Sequence, residues 1–185
     1  MNDFIIAGIG GQGVLTCSKL ILETALYKGY EVRSAETIGM AQRGGSVISH
    51  VRIGERIYSS LIPEGRADEV ISMDFTEALR YQNYLKQSGY MEAPEDYRKK
   101  APLLKVPLRS DIHLKSYDLK NEWIKCKTRR ITNILMLGIV FSSDRYIISH
   151  KDIEKTLRTH YSGDLLSKNL LALYAGAELA REGRE

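Results

Sequence analysis

Residues 4–13 constrain the fold of this chain more than any other stretch. Four apolar residues, Phe4 to Ala7, lead directly into a turn that contains four glycines within six residues. An apolar, helix-competent segment follows from Val14 to Lys28. This order predicts a buried strand, a tight turn and a helix N-terminus, as in the first unit of a dinucleotide-binding fold.

Gly8, Gly10 and Gly13 have the GxGxxG spacing of a phosphate-binding turn. Glycine permits positive φ, lets a phosphate approach the backbone, and lets a helix pack close to a strand. The free N–H groups at the start of the following helix favour an anion. A close turn without any ligand needs the same glycines, so phosphate binding and a purely architectural turn both stay open.

Glu36 stands 23 residues after Gly13, at the end of a predicted second strand over 30–35. A dinucleotide-binding unit places its ribose-binding acid at about this distance. A solvated charge at the end of a strand also explains the residue, and the pattern favours this simpler interpretation.

Length and composition predict a single domain over residues 1–185. The net charge of +4 is too mild and too scattered to indicate nucleic-acid binding. No apolar run approaches the roughly 20 residues of a membrane span, and the N-terminus does not resemble a signal peptide. Two distant cysteines argue against an iron–sulfur cluster or a zinc site made by this chain alone. A reduced, cytoplasmic protein is expected.

Hydrophobic periodicity and turn signals predict alternating strands and helices. The predicted strands are 4–7, 30–35, 46–53, 56–60, 67–73 and 112–117, with 46–53 partly exposed and paired with 56–60. The predicted helices are 11–28, 76–85, 120–126, 131–141, 149–161 and 164–181. Gly29 and Gly89 are placed to end the first and second of these, and Ser149 with Asp152 to cap the fifth. The continuously apolar helix 131–141 should be largely buried. Charges and prolines predict a solvated loop over 90–105. The predicted fold is α/β, a Rossmann-like and mainly parallel sheet with helices on both faces and an early β-hairpin.

A second glycine-rich loop follows the second predicted strand and should reach the same edge of the sheet as the first. An arginine flanked by glycines can hold a phosphate or a carboxylate through two hydrogen bonds. Together the two loops favour a binding or docking surface over pure architecture. Gln12 in the first loop could bond across that loop or to a partner. The second-loop residues that carry this prediction are Met40, Gln42, Arg43, Gly44 and Gly45.

Nothing in the sequence forms a catalytic set or a metal site. Neither cysteine lies in a nucleophile motif, and the four histidines are not at metal-ligand spacing. Trp123 is expected to anchor its helix in the core. The first glycine turn lacks the lysine of a P-loop, so hydrolysis of a nucleoside triphosphate is not expected.

The motifs together resemble the gamma-type subunit or domain of 2-oxoacid:ferredoxin oxidoreductases. The resemblance is carried by Gly8 to Val14, by Glu36, and by the block GMAQRGGSVISHVRIG at 39–54. Residues 60–85 are most similar to the beta subunit of the indolepyruvate enzymes in this family. Segments 133–138 and 168–176 match two C-terminal helical motifs of the family.

The resemblance implies oxidative decarboxylation of a 2-oxoacid with coenzyme A, giving acyl-CoA, carbon dioxide and reduced ferredoxin. Indolepyruvate or another 2-oxoacid would be the substrate. Thiamine diphosphate and iron–sulfur clusters would be held by a larger alpha subunit, so this chain would hold no cofactor alone and be inactive alone. The gamma module would lie over the partner's active site on the coenzyme A side. The residues carried over are Gly8, Gly10, Gly11, Gln12, Gly13, Gln42, Arg43, Gly44 and Gly45.

Two alternatives remain open at this point. A free-standing nucleotide- or dinucleotide-binding protein would use the turn at 8–13 and Glu36, and a purely structural docking subunit would use neither. Ferredoxin would be met only through the complex, and a homodimer of the isolated chain also stays open. Residues 90–110 are more charged and shorter than the family pattern, which leaves the identity of the 2-oxoacid undetermined.

Overall fold

A six-stranded sheet organises the molecule, with strand order β2-β3-β1-β4-β5-β6. The computed structural model describes residues 1–38, 44–95, 107–126 and 128–182. The strands are β1 (Asn2–Ile9), β2 (Glu31–Ile38), β3 (Ser46–Gly54), β4 (Ala67–Ser72), β5 (Leu85–Pro94) and β6 (His113–Tyr117). The helices are α1 (Val14–Tyr27), α2 (Phe75–Arg80), α3 (Lys120–Lys125), α4 (Thr132–Phe141), α5 (His150–His160) and α6 (Gly163–Glu182).

The sheet is mainly parallel, as predicted. Strand β1 pairs in parallel with β4, β4 with β5, and β5 with β6. Only β3 runs against its neighbours, pairing antiparallel with both β1 and β2. Because parallel strands end at one edge, the carboxyl ends of β1, β4 and β5 lie on the same side of the sheet.

The early antiparallel hairpin is present, but its partner strand was predicted wrongly. Strand β3 pairs with β2, from Glu31 opposite Gly54 to Ile38 opposite Val47, and residues 56–60 form no strand. With β1 on its other side, β3 has no free edge left for a second hairpin. The same double pairing buries most of β3, which corrects the expectation of a partly exposed strand.

The region after β4 also differs from its prediction. The helix expected over 76–85 ends at Arg80, and Gln82–Tyr84 is a short 3₁₀ turn. The segment from Leu85 is strand β5, so residues 90–94 are not the solvated loop that their charges and prolines indicated. Gly89 lies within this strand, where a β-carbon would stand only 2.9 Å from the carbonyl oxygen of Lys86. It therefore permits a close backbone approach instead of ending a helix.

Side chains alternate between two apolar layers, which confirms helices on both faces. Phe4 and Ile6 face the larger layer with α1 and α4 to α6, whereas Ile5 faces the smaller layer with α2. Helix α4 is buried over its whole length, as its continuous apolar sequence predicted. A β-carbon on Gly138 would overlap the carbonyl oxygen of Leu173 on α6, so glycine lets these two helix backbones touch.

Several local predictions are confirmed at the residue level. Gly29 has φ of +83° just after α1, and β6, α3 and α6 lie where the sequence placed them. Ser149 and Asp152 form a reciprocal capping box at the start of α5. Among the residues that the structure describes, no helix combines the length and the apolar character needed to cross a membrane.

Candidate functional site at the carboxyl edge of the sheet

The first glycine loop, residues 10–13, connects the end of β1 to the start of α1. Gly11 and Gly13 have φ of +93° and +84°, a region that other residues rarely adopt. Gln12 closes the loop on itself, because its Oε1 accepts a hydrogen bond of 2.7 Å from the backbone N–H of Ile9. The option that Gln12 bonds across its own loop is thus confirmed. Helix α1 starts without a side-chain cap, which leaves its first N–H groups available to a ligand.

Two glycines of the motif are required by close packing. A β-carbon on Gly8 would lie 2.9 Å from Val14 Cγ2, at the start of α1. A β-carbon on Gly13 would lie 2.6 Å from Asn133 Nδ2, which donates to the carbonyl oxygen of Gly13 at 3.3 Å. A β-carbon on Gly11, in contrast, would meet no atom within 4 Å. Gly11 is thus the position where the loop backbone faces open space.

The second glycine loop touches the first. The N–H of Gly10 donates to the carbonyl oxygen of Gly45 at 2.9 Å, and Gly44 has φ of +82°. Ser46, the first residue of β3, donates to Glu77 Oε2 at 2.5 Å and lies 2.8 Å from the hydroxyl of Tyr81. Hydrogen bonds to the first loop and to the side chains of Glu77 and Tyr81 therefore fix the C-terminal end of the second loop. Its predicted site residues Met40, Gln42 and Arg43 lie outside the described residues.

A cavity of about 280 Å³ opens beside the first loop, at the carboxyl ends of β1, β4 and β5. Its walls combine backbone of the first loop, apolar side chains, two acids and two arginines. The acid Asp74 is committed to capping α2, since its side chain accepts from the N–H groups of Thr76 and Glu77. The lining residues are Gly11, Gln12, Met73, Asp74, Phe75, Pro94, Glu95, Trp123, Arg129, Arg130 and Thr132.

The arginine side of this cavity is built around Trp123, which was expected to be an internal anchor. Trp123 is only half-buried, and its Nε1 donates to Thr132 Oγ1 at 3.0 Å. The guanidinium of Arg129 lies over the indole at 4.6 Å from the ring centroid. The prediction missed Arg129 and Arg130. The available signal was a pair of adjacent arginines immediately before a fully apolar helix.

A second cavity, of about 520 Å³, lies on the other side of the first loop. Its walls are mainly apolar, with one hydroxyl among the side chains. The lining residues are Ile9, Gly10, Gly11, Gly13, Val14, Leu15, Thr16 and Val47. The first loop therefore separates a cavity that contains two arginines from one without charged side chains, and Gly11 borders both.

Glu36 is not next to the first loop. It lies within β2, opposite Ser49 of β3, and Ser49 is in turn opposite Ile6 of β1. Strand β3 thus stands between Glu36 and the strand that carries the loop. In the dinucleotide-binding arrangement the acid-bearing strand would be a direct neighbour of β1.

The thiols and histidines have no chemical arrangement typical of catalysis. Burial raises the pKa of the Cys17 thiol, and burial with nearby Glu122 raises the pKa of Cys126, so neither thiol is activated. Burial and then Arg52 lower the pKa of His50, whose Nδ1 accepts from the N–H of Ile62 at 3.2 Å. Across the described ranges, no three His, Cys, Asp or Glu side chains are grouped to hold a metal ion.

A second concentration of charge, which we call the acid cluster, lies inside the larger apolar layer. It consists of Glu69, Glu92, Arg145 and Tyr146. Arg145 Nη2 lies 2.7 Å from Glu92 Oε1 and 3.6 Å from Glu69 Oε2, and the Tyr146 hydroxyl donates to Glu69. Burial, followed by the charge of Glu92, holds the pKa of Glu69 well above its usual range, against the opposing effect of Arg145.

Comparison with known proteins places these observations in one family. The sequence profile of the family named pyruvate ferredoxin/flavodoxin oxidoreductase matches residues 3–179. The indolepyruvate oxidoreductase subunit IorB of Thermococcus kodakarensis is 31% identical, over 97% of this chain and 96% of that protein.

Two solved structures share the fold. The gamma subunit of a keto/oxoacid ferredoxin oxidoreductase from Geobacter sulfurreducens superposes with a TM-score of 0.77 at 20% identity, covering 98% of this chain and 99% of that one. The 2-oxoglutarate:ferredoxin oxidoreductase of Magnetococcus marinus, a structure with 2-oxoglutarate, coenzyme A and succinyl-CoA bound, gives 0.79 at 19% identity. There the similarity covers 98% of this chain but 31% of the longer one. By its sequence over nearly its whole length, this chain belongs to the pyruvate ferredoxin/flavodoxin oxidoreductase family.

Proposed function

We propose that this chain is the gamma-type subunit of a 2-oxoacid:ferredoxin oxidoreductase, with indolepyruvate or another aryl 2-oxoacid as the substrate. The observation that carries the proposal is the pair of joined glycine loops beside a cavity with two arginines, in a chain that belongs to this family throughout its length. The complex would oxidise the 2-oxoacid with coenzyme A, release carbon dioxide and pass two electrons to ferredoxin.

Thiamine diphosphate and the iron–sulfur clusters are assigned to a larger alpha subunit. The two cysteines of this chain lie on α1 and after α3, with Cys17 buried, so thiolate ligands for a cluster would have to come from elsewhere. The fold itself occurs as about a third of a longer chain in the Magnetococcus marinus enzyme, which supports a larger partner. Ferredoxin would meet that partner, and the compartment would be the cytoplasm.

The residues at the candidate site are better suited to binding coenzyme A than to catalysing a reaction themselves. Arg129 and Arg130 offer guanidinium groups to phosphates in the cavity beside the first loop. Gly11 leaves room for an extended chain to cross the loop, and the apolar cavity beyond it is lined by Val14, Leu15 and Val47. The role of the subunit is then to bind and orient coenzyme A above the partner's active site.

Reconstitution tests the assignment of the subunit. The isolated chain should not oxidise any 2-oxoacid, whereas the chain co-expressed with its alpha subunit should reduce ferredoxin in a reaction that needs both a 2-oxoacid and coenzyme A. A panel of indolepyruvate, phenylpyruvate, pyruvate and 2-oxoglutarate would identify the substrate. Oxidation by the isolated chain, or full activity of the alpha subunit alone, would overturn the proposal.

Steady-state kinetics of the complex test the coenzyme A site. Arg129→Ala and Arg130→Ala should each raise KM for coenzyme A about tenfold, the effect of losing one charge-assisted hydrogen bond, while KM for the 2-oxoacid stays unchanged. Arg158→Ala is the matched control, because Arg158 is an exposed arginine of α5 that pairs with Glu154. An unchanged KM for coenzyme A in both variants would remove the arginines from the site.

The free-standing dinucleotide-binding alternative has less geometric support, since β3 separates Glu36 from the first loop. Calorimetric titration of the isolated chain with NAD, with a flavin nucleotide and with coenzyme A distinguishes the two. Tight binding of NAD or a flavin nucleotide would favour the alternative. A purely structural docking role would be favoured if the partner binds but none of these ligands does, alone or in the complex.

A further inference from the structure

One short stretch next to the candidate site carries an excess of positive charge. Residues 118–130 contain five lysines and arginines and two acids, a net charge of +3. This stretch includes helix α3 and the turn that leads to α4. We call its exposed surface the basic face, and define it by Lys120, Ile124 and Lys125 of α3.

An apolar side chain stands in the middle of these charges. Ile124 is 73% exposed, more than any exposed leucine or methionine in the described part of the chain. Beside it is a concave surface of about 300 Å³, lined by Lys120, Trp123, Ile124, Thr128 and Arg129. A concave surface that combines an exposed isoleucine with a half-buried tryptophan can receive an apolar side chain of a partner.

The two lysines of the basic face are exposed and have acidic partners nearby. Lys120 lies 3.9 Å from Asp118, and Lys125 lies 3.2 Å from Glu122. Arg129 and Arg130, on the adjoining turn, form no ion pair with any residue that the structure describes, which fits their proposed contact with the phosphates of coenzyme A.

The basic face is continuous with the candidate site. Trp123 and Arg129 line both the concave surface beside Ile124 and the cavity beside the first glycine loop. A partner that covers the glycine loops would therefore reach α3 with the same surface. Continuity with the candidate site and the exposed apolar centre at Ile124 are two separate observations that favour contact with another protein, and the lysines of α3 surround that centre with positive charge.

We propose that the basic face docks against an acidic surface of the alpha subunit, with Ile124 inserted into an apolar recess surrounded by carboxylates. This inference rests on the proposed function and adds the location and chemistry of the subunit contact. The cations would accelerate association and orient the subunits, and Ile124 would supply the desolvated centre. Seated in this way, the partner would also close the open side of the arginine-lined cavity.

Affinity measurements on the full-length subunits test the docking. The double variant Lys120→Glu/Lys125→Glu should bind the alpha subunit about 100-fold more weakly at low salt, and its binding should depend less on salt than that of the wild type. Ile124→Ser should weaken binding about tenfold at every salt concentration, since it removes an apolar contact. The matched control is Lys151→Glu/Lys155→Glu, which reverses two exposed lysines of α5 and should change affinity less than twofold.

All substituted positions are exposed, so the variants should stay folded with at most a small loss of stability, which a thermal melt verifies first. If the wild type binds the alpha subunit and the basic-face variants bind equally well, the docking inference is overturned while the proposed function stands. If the α5 control weakens binding as much as the α3 variant, the surface is wrong and the inference is likewise overturned. If the wild type fails to bind the alpha subunit at all, both are overturned.

Discussion

The first glycine loop and the acid cluster concentrate polar groups on the same sheet in opposite ways. At the glycine loop, backbone N–H groups and two arginines border open cavities. In the acid cluster, Glu69 and Glu92 are buried beneath Arg145, and the pKa of Glu69 is strongly raised. Perturbed pKa values often mark functional sites, but structural ion pairs perturb them too. Here we propose the glycine-loop surface as the functional one and the acid cluster as a structural one.

Packing explains the acid cluster as a structural device. Tyr146 lies edge-on to Phe4 of β1 at 4.8 Å and to Phe141 of α4 at 5.9 Å, while its hydroxyl bonds to Glu69 of β4. Arg145 also stacks over the Tyr90 ring at 3.9 Å. The connection between α4 and α5 is thereby fastened to three strands. Substitutions in the two regions should therefore separate stability from function.

Removal of Arg145 from the acid cluster should have the largest effect on stability. Arg145→Ala leaves two buried carboxyl groups without their cation, so the free energy of unfolding should fall by about 3–5 kcal/mol. Chemical denaturation measures this change, and Arg158→Ala, at an exposed pair, should change it by about 0.5 kcal/mol or less. The affinity of the folded variant for the alpha subunit should stay the same. A loss below about 1 kcal/mol for Arg145→Ala would contradict the structural role of the cluster.

Two glycines of the first loop should respond differently to alanine. Both have positive φ, which costs about 1–2 kcal/mol for a side chain, but only Gly13 also faces Asn133. Gly13→Ala should therefore destabilise the chain by about 2–4 kcal/mol and Gly11→Ala by about 1–2 kcal/mol. In the assembled complex, Gly11→Ala should raise KM for coenzyme A, since its methyl group enters the space between the two cavities. Equal stability losses in the two variants would show that Asn133 adjusts freely.

The pH dependence of stability should reveal the proton on Glu69. Its pKa in the folded chain is raised above the ordinary 4.5, so the folded chain holds a proton that the unfolded chain releases. Stability from this group is complete below the ordinary value and is lost as pH rises toward the raised one. Glu69→Gln should flatten this decline when unfolding is followed from pH 5 to pH 8. A variant that declines as steeply as the wild type would place the proton elsewhere.

The smallest effect is expected at Gln12. Gln12→Met keeps the length of the side chain but removes the acceptor for the N–H of Ile9, which should cost about 1 kcal/mol of stability. Because the loop then loses its internal closure, the loss of coenzyme A binding free energy calculated from the rise in KM should exceed the loss of stability. Gln12→Glu retains an acceptor oxygen and should restore most of the stability. Denaturation and kinetics of the same samples provide both quantities.

Local patterns were sufficient for the parts of the fold that depend on neighbouring residues. The strand, glycine turn and helix over residues 2–27, the capping box at Ser149 and the buried helix α4 all follow from short-range spacing. Strand β5 could not be recognised, because its first half is exposed at Lys86 to Ser88 and its burial comes from β4 and β6. The hairpin partner of β3 was predicted wrongly because β1 takes the edge of β3 that residues 56–60 would have used, and this pairing with β1 is a long-range contact.

The glycine loops of the candidate site could be predicted from the sequence, but its arginines could not. Both glycine loops were identified from their composition, and the hydrogen bond from Gly10 to Gly45 joins them. Arg129 and Arg130 reach the same cavity from a segment more than a hundred residues away in sequence, and only the packing of α4 against the sheet brings them there. The function was inferred from the family resemblance. The chemical patterns in the residues alone predicted only a binding surface.

Hydrogen–deuterium exchange with and without the alpha subunit tests most directly whether the glycine-loop edge is the functional surface. Peptides covering residues 8–16 and 44–49 should become protected in the complex, while peptides containing Glu69, Glu92 and Arg145 should exchange slowly and equally in both states. Addition of coenzyme A to the complex should deepen the protection at residues 10–13. Protection confined to α5 and α6, with unchanged exchange at both glycine loops, would contradict the account.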